Sequence, residues 1–415
     1  MRLGIVAPVN FVDAPFGGTL TFIRQFLASG AIPEHWNVHL IGVTSTDDVP
    51  AREFTGHYDG HAATFLGVAT ITDRELLPLR ARFYVGLRRC RGLLSELECD
   101  VYYAHTPDAG HAMSRVCPRI PLVLHRHGLA SMVKRSRHWY GRLAPVHMAF
   151  DHFITRAAEV SATRILVTAD QASFKDWARE ARSNIADRAS LIPAMVDAVQ
   201  FAPRVGPVTA GKTLALVAVG RLEEVKGFDF VIKGLASIRA RGVEADLSVV
   251  GSGSQETRLK RLAREIGVEQ YVTFAGYLPP ARLADVLGRA DIYVSGSHQE
   301  GFSIALLEAM ASGLPCVVTN TSGVRDVVVS GVNGWILETR GPDEIAGACH
   351  RVQEAGAAMK KAARSSALRF SARAVSEQIV GHLAEVGALH IGAAAVGSPS
   401  VSRDVARRSA KAGLR

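Results

Sequence analysis

The sequence lacks the features that would fix it in a membrane or cross-link it. No stretch approaches the roughly 18 to 20 consecutive apolar residues that a membrane-spanning helix needs. The start, MRLGIVAPVN, is a short apolar run interrupted by Pro8 and Asn10, and reads as a first β-strand rather than a signal peptide. Cysteine is sparse: Cys90, Cys99, Cys117, Cys316 and Cys349 are scattered, without the close paired spacing of a zinc site or a disulfide framework. They read as reduced residues of a cytosolic protein. Acid is missing from Ala109 to Phe150, whereas Arg115, Arg119, Arg126, Lys134, Arg135, Arg137 and Arg142 all fall there. A second basic group, Arg80, Arg82, Arg88, Arg89 and Arg91, contributes to a net charge of +9.

What is present is a repeated alternation of short apolar runs and longer helical periods over 415 residues, more than one core usually supports. Candidate strands are Leu3–Ala7, Val38–Val43, Val101–Ala104, Leu122–Leu124, Ile165–Val167 and Leu191–Ile192. After the Pro/Gly/Thr stretch APRVGPVTAGKT come Leu214–Val219, Leu247–Val250, Val272–Phe274, Ile292–Val294 and Cys316–Thr319, with helical periods such as Phe228–Arg241 and Gln255–Ile266 between them. The order predicts parallel sheets covered by helices, hence α/β with two Rossmann-like domains facing across an interdomain cleft. The expected boundaries are 1–201, a linker over 202–213, a second domain over 214–389, and a basic Gly/Ala/Ser-rich tail over 390–415 with too little apolar content to pack.

In open α/β sheets ligands gather at the carboxyl ends of strands, and the distinctive motifs follow strands. SGSHQEGFSIALLEAMASGLPCVVTN places Glu300 and Glu308 eight positions apart, with a helix beginning near Phe302 or Ser303. Eight helical positions span about 12 Å, which suits a ligand with polar groups at both ends. The free N–H groups of Gly301, Phe302 and Ser303 suit an anion between them. Glu308 could accept from two ribose hydroxyls and Glu300 from a sugar hydroxyl. In VAVGRLEEVKGFDFVI, Arg221 and Lys226 are placed to stabilise a departing diphosphate as it gains charge. VVGSGS supplies Gly251 and Gly253, but Gln255 and Glu256 occupy the place of a third glycine, against dinucleotide binding. FGGTLTFIRQF puts Gly17 and Gly18 before a helix, where backbone can approach a phosphate.

In this order the motifs resemble the family-4 retaining glycosyltransferases of the GT-B fold, from GGTLTF to GVNGWIL. That resemblance implies a nucleotide-diphosphate sugar donor (UDP- or GDP-linked), a saccharide or lipid-linked acceptor in polysaccharide or glycoconjugate synthesis, and transfer with retention without a metal ion or other cofactor. It implies that Gly18 contacts the diphosphate, that Arg221 and Lys226 bind phosphates, and that Glu300 holds the sugar and Glu308 the ribose. It also places a His-Gly histidine near the donor sugar, here His127 before Gly128; His105 and His125 read as strand-end histidines. Ile192-Pro193-Ala194-Met195-Val196-Asp197 departs from the family's Ile-Pro-Asn-Gly-Val-Asp, and Asp326 stands where many members have Glu.

The basic clusters, interleaved with Met132, Trp139 and Tyr140, suit an anionic membrane surface or an acidic acceptor, giving a cytoplasmic protein peripheral at the inner face of the membrane. No nucleic-acid motif accompanies the charge. Three other readings compete: a sugar-nucleotide epimerase, a sugar-nucleotide-binding protein without transferase activity, and a dinucleotide oxidoreductase. The last is the weakest because the glycine fingerprint is incomplete.

Overall fold

The computed structural model describes residues 1–11, 18–45, 51–71, 78–128, 144–204, 213–300 and 302–396, with backbone only over 51–54, 144–148 and 393–396. Gly301 and the basic, aromatic segment around Lys134 and Trp139 therefore lie outside the described residues.

The first unit is built on β1 (Arg2–Val6), β2 (Asn37–Thr44), β3 (Ala51–Tyr58), β4 (His61–Thr70), β5 (Val101–Ala104), β6 (Leu122–His127), β7 (Arg164–Thr168) and β8 (Ala189–Leu191). Their order is β3-β4-β2-β1-β5-β6-β7-β8, parallel except for the β3–β4 pair. That hairpin is absent from the strands read in the sequence. It turns at Asp59 and Gly60, with φ of 48° and 86°, the left-handed pair that a two-residue hairpin favours.

The second unit carries β9 (Leu214–Val219), β10 (Ala245–Val250), β11 (Val272–Gly276), β12 (Ile292–Ser295), β13 (Cys316–Thr319) and β14 (Gly334–Leu337). Its all-parallel order is β11-β10-β9-β12-β13-β14. Apolar runs such as LALVAV in β9 suit strands covered on both faces. The order reverses between β9 and β12 in this unit and between β1 and β5 in the first. These are the switch points where crevices open at the carboxyl ends of strands.

The expected domain boundaries need correction. The first unit comprises Met1–Ala169, Ser173–Pro193 and the chain from Val375 onward; the second comprises Asp170–Ala172 and Ala194–Ala374. The chain enters the second unit before the linker read at 202–213 because Ala194, Val196 and Phe201 are buried in that unit's core. Arg364 pins this entry by donating to the carbonyls of Ala198 and Phe201, both at 2.9 Å. The chain leaves again well before 389. Helix Ala372–Val396 buries Val375, Ile379, Leu383 and Val386 along one stripe, the spacing of a single helical face. Arg164 of β7 holds Glu385 of that helix at 2.8 Å. The helix also continues past 389, where a tail was expected; residues 205–212 and 397–415 lie outside the described residues.

Glycines set the closest approaches at the carboxyl end of the second sheet. Gly251 has φ +135°, and a Cβ there would stand 1.9 Å from the carbonyl oxygen of Gly220. Gly267 also has positive φ (+75°) but faces open space. Gly267→Ala should cost only the conformational term, about 1 to 2 kcal/mol. Gly251→Ala adds a backbone collision, so its thermal midpoint should drop further; equal midpoints for the two variants would contradict this packing.

Candidate active site

The loops after β9, β10 and β12 converge in the second unit. The N–H of Gly220 donates to Val250 O at 2.9 Å, Leu222 N to Ser252 O at 2.9 Å, and His298 N to Val225 O at 2.8 Å. Gly227, with φ +61°, lies so close to the loop after β12 that a Cβ would stand 1.9 Å from Gly296 O. Gly253 meets Leu222 in the same way, a Cβ there reaching its carbonyl oxygen at 2.5 Å. The glycines of VVGSGS therefore hold the loops together by backbone contact.

This convergence brings Lys226 and Glu300, 74 residues apart in sequence, into an ion pair of 2.6 Å. Their side chains are 23% and 15% exposed, sheltered enough that neither charge is well compensated by water alone. Arg221 is not part of the pair. It is 72% exposed and bonded to Glu223, two residues along the same loop.

Helix Ile304–Ala311 starts one or two residues later than the sequence suggests. Ser303 is its N-cap, accepting from Leu306 N at 3.4 Å. Phe302 turns into the core and packs on Phe370 with ring centroids 5.4 Å apart. Among the described residues nothing donates to the Glu308 carboxylate, and burial raises its pKa to about 7. A small cleft beside Glu300 is lined by Tyr293, Ser295, Ser297, Ser303, Thr319 and Thr321 together with apolar Leu306, Val318 and Val324. Arg340, which no local motif marked, donates to the carbonyls of Gly296 and Ser297 and so braces the loop leading to Glu300.

The remaining predicted residues stand in the first unit. Gly18 opens helix Gly18–Ala28 with free space around it. His127 ends β6 and is followed by Gly128 at φ +92°. Register explains its surroundings. Tyr103 of β5 lies opposite Val123 and Ala104 opposite Leu124, so alternation puts Tyr103, His105, His125 and His127 on one face of the sheet. His105 Nδ1 and His127 Nε2 are 2.9 Å apart. His125 is bonded to Tyr103 Oη at 2.5 Å and to Thr168 Oγ1 at 2.8 Å. Phe22 meets both His125 and His127 edge-on at 4.8 Å. Burial holds His105 and His125 well below the ordinary imidazole range and lowers His127 to about 4. Ligand nitrogens of the three lie within 4.8 Å of one another, close enough to draw around a metal ion only if the rings move. Yet both nitrogens of His125 and one each of His105 and His127 are engaged in hydrogen bonds, which a metal would have to displace.

Several predicted surface cations are engaged internally. Arg80 bonds Asp108 at 2.6 Å, Arg82 the carbonyl of Thr70 at 2.6 Å, and Arg126 the buried Glu159 at 2.6 Å. Asp326, to which no role was given, accepts from Gln171 N at 2.7 Å. No described helix is long and apolar enough to cross a membrane.

Residues 204–367 match the family described as Glycosyl transferases group 1, and this segment is a domain of that family. The two Rossmann-like α/β units are the GT-B fold class. A putative colanic acid biosynthesis glycosyltransferase, WcaL, of Escherichia coli K12 is 34% identical over 34% of this chain and 36% of its own. The D-inositol 3-phosphate glycosyltransferase of Acidothermus cellulolyticus is 30% identical over 52% of this chain and 53% of its own. The chain thus spans about half, or less, of the length of these curated relatives. Among solved structures, sucrose-phosphate synthase from Thermosynechococcus elongatus superposes with TM-score 0.69 at 18% identity, covering 94% of this chain and 99% of that one. HepE of Anabaena, solved with UDP and glucose, superposes with TM-score 0.64 at 19% identity, covering 93% and 100%. These two likenesses are of fold.

The histidine face carries a pH prediction. Unfolded histidine takes up its proton near 6.5, whereas His127 in the folded chain does so only near 4. Between those values the unfolded state binds more protons, so stability rises with pH across the window and falls on acidification. The thermal midpoint should drop between about pH 6.5 and pH 4, and less in His125→Gln, which removes one imidazole from the cluster. An unchanged acid dependence in that variant would show that His125 contributes nothing to it.

Proposed function

We propose that this chain transfers a glycosyl group from a nucleoside-diphosphate sugar to a saccharide or lipid-linked acceptor, with retention and without a metal ion, in polysaccharide or glycoconjugate synthesis. The observation that carries the reading is the sheltered Lys226–Glu300 pair at the β9–β12 switch point. An ammonium has three donors; one satisfies Glu300 and the others are available to a diphosphate. Charge grows on that diphosphate as the bond from the anomeric carbon to its oxygen breaks, so Lys226 interacts more strongly with the transition state than with the ground state. Arg221, exposed beside it, supplies a second cation once it leaves Glu223. Glu300 accepts from a hydroxyl of the transferred sugar, and the Glu308 carboxylate from the two ribose hydroxyls.

Retention follows from front-side attack. The acceptor oxygen bonds to the anomeric carbon on the face the diphosphate leaves, and the acceptor's proton passes to the departing phosphate oxygen. This route needs no enzyme nucleophile, and the sequence marks none. Supporting the donor class are the group 1 match over 204–367 and the UDP and glucose in the solved HepE complex. Binding without transfer, and epimerisation, are the competing activities. A thermal-shift panel of UDP, GDP, ADP, NAD and the sugar conjugates separates the ligand classes, since a ligand at a hundred times its Kd adds roughly 2.7 kcal/mol. Stabilisation by NAD alone would refute the reading.

Two outcomes follow. Lys226→Ala removes the cation and leaves the Glu300 carboxylate facing a diphosphate, so kcat should fall on the order of 100-fold, as for other single transition-state contacts; an unaffected rate removes Lys226 from the site. Glu308 must be ionised to accept from both ribose hydroxyls, and its pKa stands near 7. Affinity for the intact nucleotide sugar, whose diphosphate diester does not titrate near neutrality, should rise as pH increases through that value. Isothermal titration across the range checks this, and Glu308→Gln should bind more weakly with a flat pH profile.

A further inference from the structure

Of the three imidazoles on this sheet face, the family resemblance places only one, His127, near the donor sugar. His105 and His125 are buried, and burying a titratable ring is costly unless its polar atoms are used. Their hydrogen bonds can be assigned by donor count.

His125 comes first. Tyr103 is wholly buried, and among the described residues the acceptor for its hydroxyl is His125 Nδ1, at 2.5 Å. The hydroxyl therefore donates to Nδ1, and His125 carries its own proton on Nε2, directed to Thr168 Oγ1 at 2.8 Å. His125 is satisfied at both nitrogens and has no proton to lend its neighbours.

His105 and His127 form a separate pair. Their rings are inclined by only 12°, and one proton lies between His105 Nδ1 and His127 Nε2 at 2.9 Å. If His127 Nε2 donated it, His105 would carry its own proton on Nε2. That atom is buried and without a partner among the described residues. An orphaned N–H in a protein interior is rarer and costlier than an unused lone pair. If His105 Nδ1 donates instead, only a lone pair is left bare on its Nε2. The second arrangement wins. His127 Nε2 then accepts, and the proton of His127 must sit on Nδ1.

We propose that His105 is a positioning residue that fixes His127 as the Nδ1–H tautomer, so that His127 meets its ligand as a neutral hydrogen-bond donor. The partner class is an oxygen acceptor, a sugar hydroxyl or a phosphoryl oxygen. Its assignment to the donor substrate rests on the transferase reading; the tautomer does not. Of the groups around the pair, Phe22 is apolar, Tyr103 and Thr168 are committed to His125, and the nearby Arg126 is paired with Glu159. Among the described residues none of these supplies a carboxylate that would make His127 an imidazolium. The donor is thus available without a proton being taken up, and its strength does not change across neutral pH.

The test reads the tautomer directly. Long-range proton–nitrogen correlation spectra of the full chain labelled with 15N-histidine, near pH 7, distinguish the protonated from the bare ring nitrogen, and His127 is assigned from the spectrum of His127→Asn. The expected result is Nδ1–H at His127 in the wild type and an admixture of the Nε2–H form in His105→Ala or, if that variant is unstable, in the volume-conserving His105→Phe. Finding Nε2–H in the wild type, or an unchanged tautomer in the folded His105 variant, overturns the proposal. Kinetics supply a second arm. An Asn amide nitrogen occupies about the place of His Nδ1, so His127→Asn should lose less kcat/KM than His127→Gln. The His105 substitution should lower kcat/KM about tenfold in the wild type and little in the His127→Asn background, where no tautomer remains to be fixed; equal losses in both backgrounds count against it. If no nucleotide sugar is turned over but the tautomer is as stated, the transferase reading fails and the assignment of His105 stands.

Discussion

The second unit depends on backbone meeting backbone where side chains would ordinarily intervene. At Gly227 against Gly296, Gly251 against Gly220 and Gly253 against Leu222, an added Cβ would reach a neighbouring carbonyl oxygen at 1.9 to 2.5 Å. Loops usually carry function because they are free to vary; these are fixed against one another. Fixing them sets the separation of Lys226 from Glu300, since one precedes Gly227 and the other follows Gly296 by four residues. The ion pair is therefore a consequence of glycine packing as much as of charge. Arg340 adds to the same constraint by donating to the carbonyls of Gly296 and Ser297 in that loop.

The first unit solves a different problem. Its polar face is built from neutral groups: one phenol, three imidazoles and a threonine hydroxyl share hydrogen bonds under the edge of Phe22. Desolvation keeps the rings uncharged, so the face offers direction rather than charge. The cation and carboxylates lie in the other unit. The charged pair of the second unit thus suits an anionic ligand, and the neutral histidine face of the first suits hydroxyl-bearing ligands.

Much of the architecture was legible because buried parallel strands are continuous apolar runs. LALVAV, ADLSVV and IYVS announce themselves, and the motifs follow them. The β3–β4 hairpin was not, although Asp59-Gly60 marks its turn, because AREFTGHY and HAATFLGVAT mix polar and apolar residues. Of the site, Lys226, Glu300 and Glu308 could be picked out by type and spacing, but the pairing of the first two could not, since it depends on loop contacts 74 residues apart. Arg221 looked equivalent to Lys226 until Glu223 was seen to hold it outward. His105 was unreadable for a different reason: its meaning depends on the register of β5 with β6, and a shift by one residue would put it on the other face. The helix from Ala372 was misassigned because its apolar stripe states that it packs but not on which unit.

The path of the chain has a consequence of its own. The second unit's principal segment leaves the first at Pro193 and returns at Ala374, so it is nested inside the first rather than strung after it. A single cut cannot separate the two: truncating before Val375 strips the first unit of a helix whose stripe belongs to its own interior. Exchange of the second unit between related chains, by recombination or in the laboratory, therefore requires two coordinated crossovers. The terminal helix has to travel with the half to which it is distant in sequence.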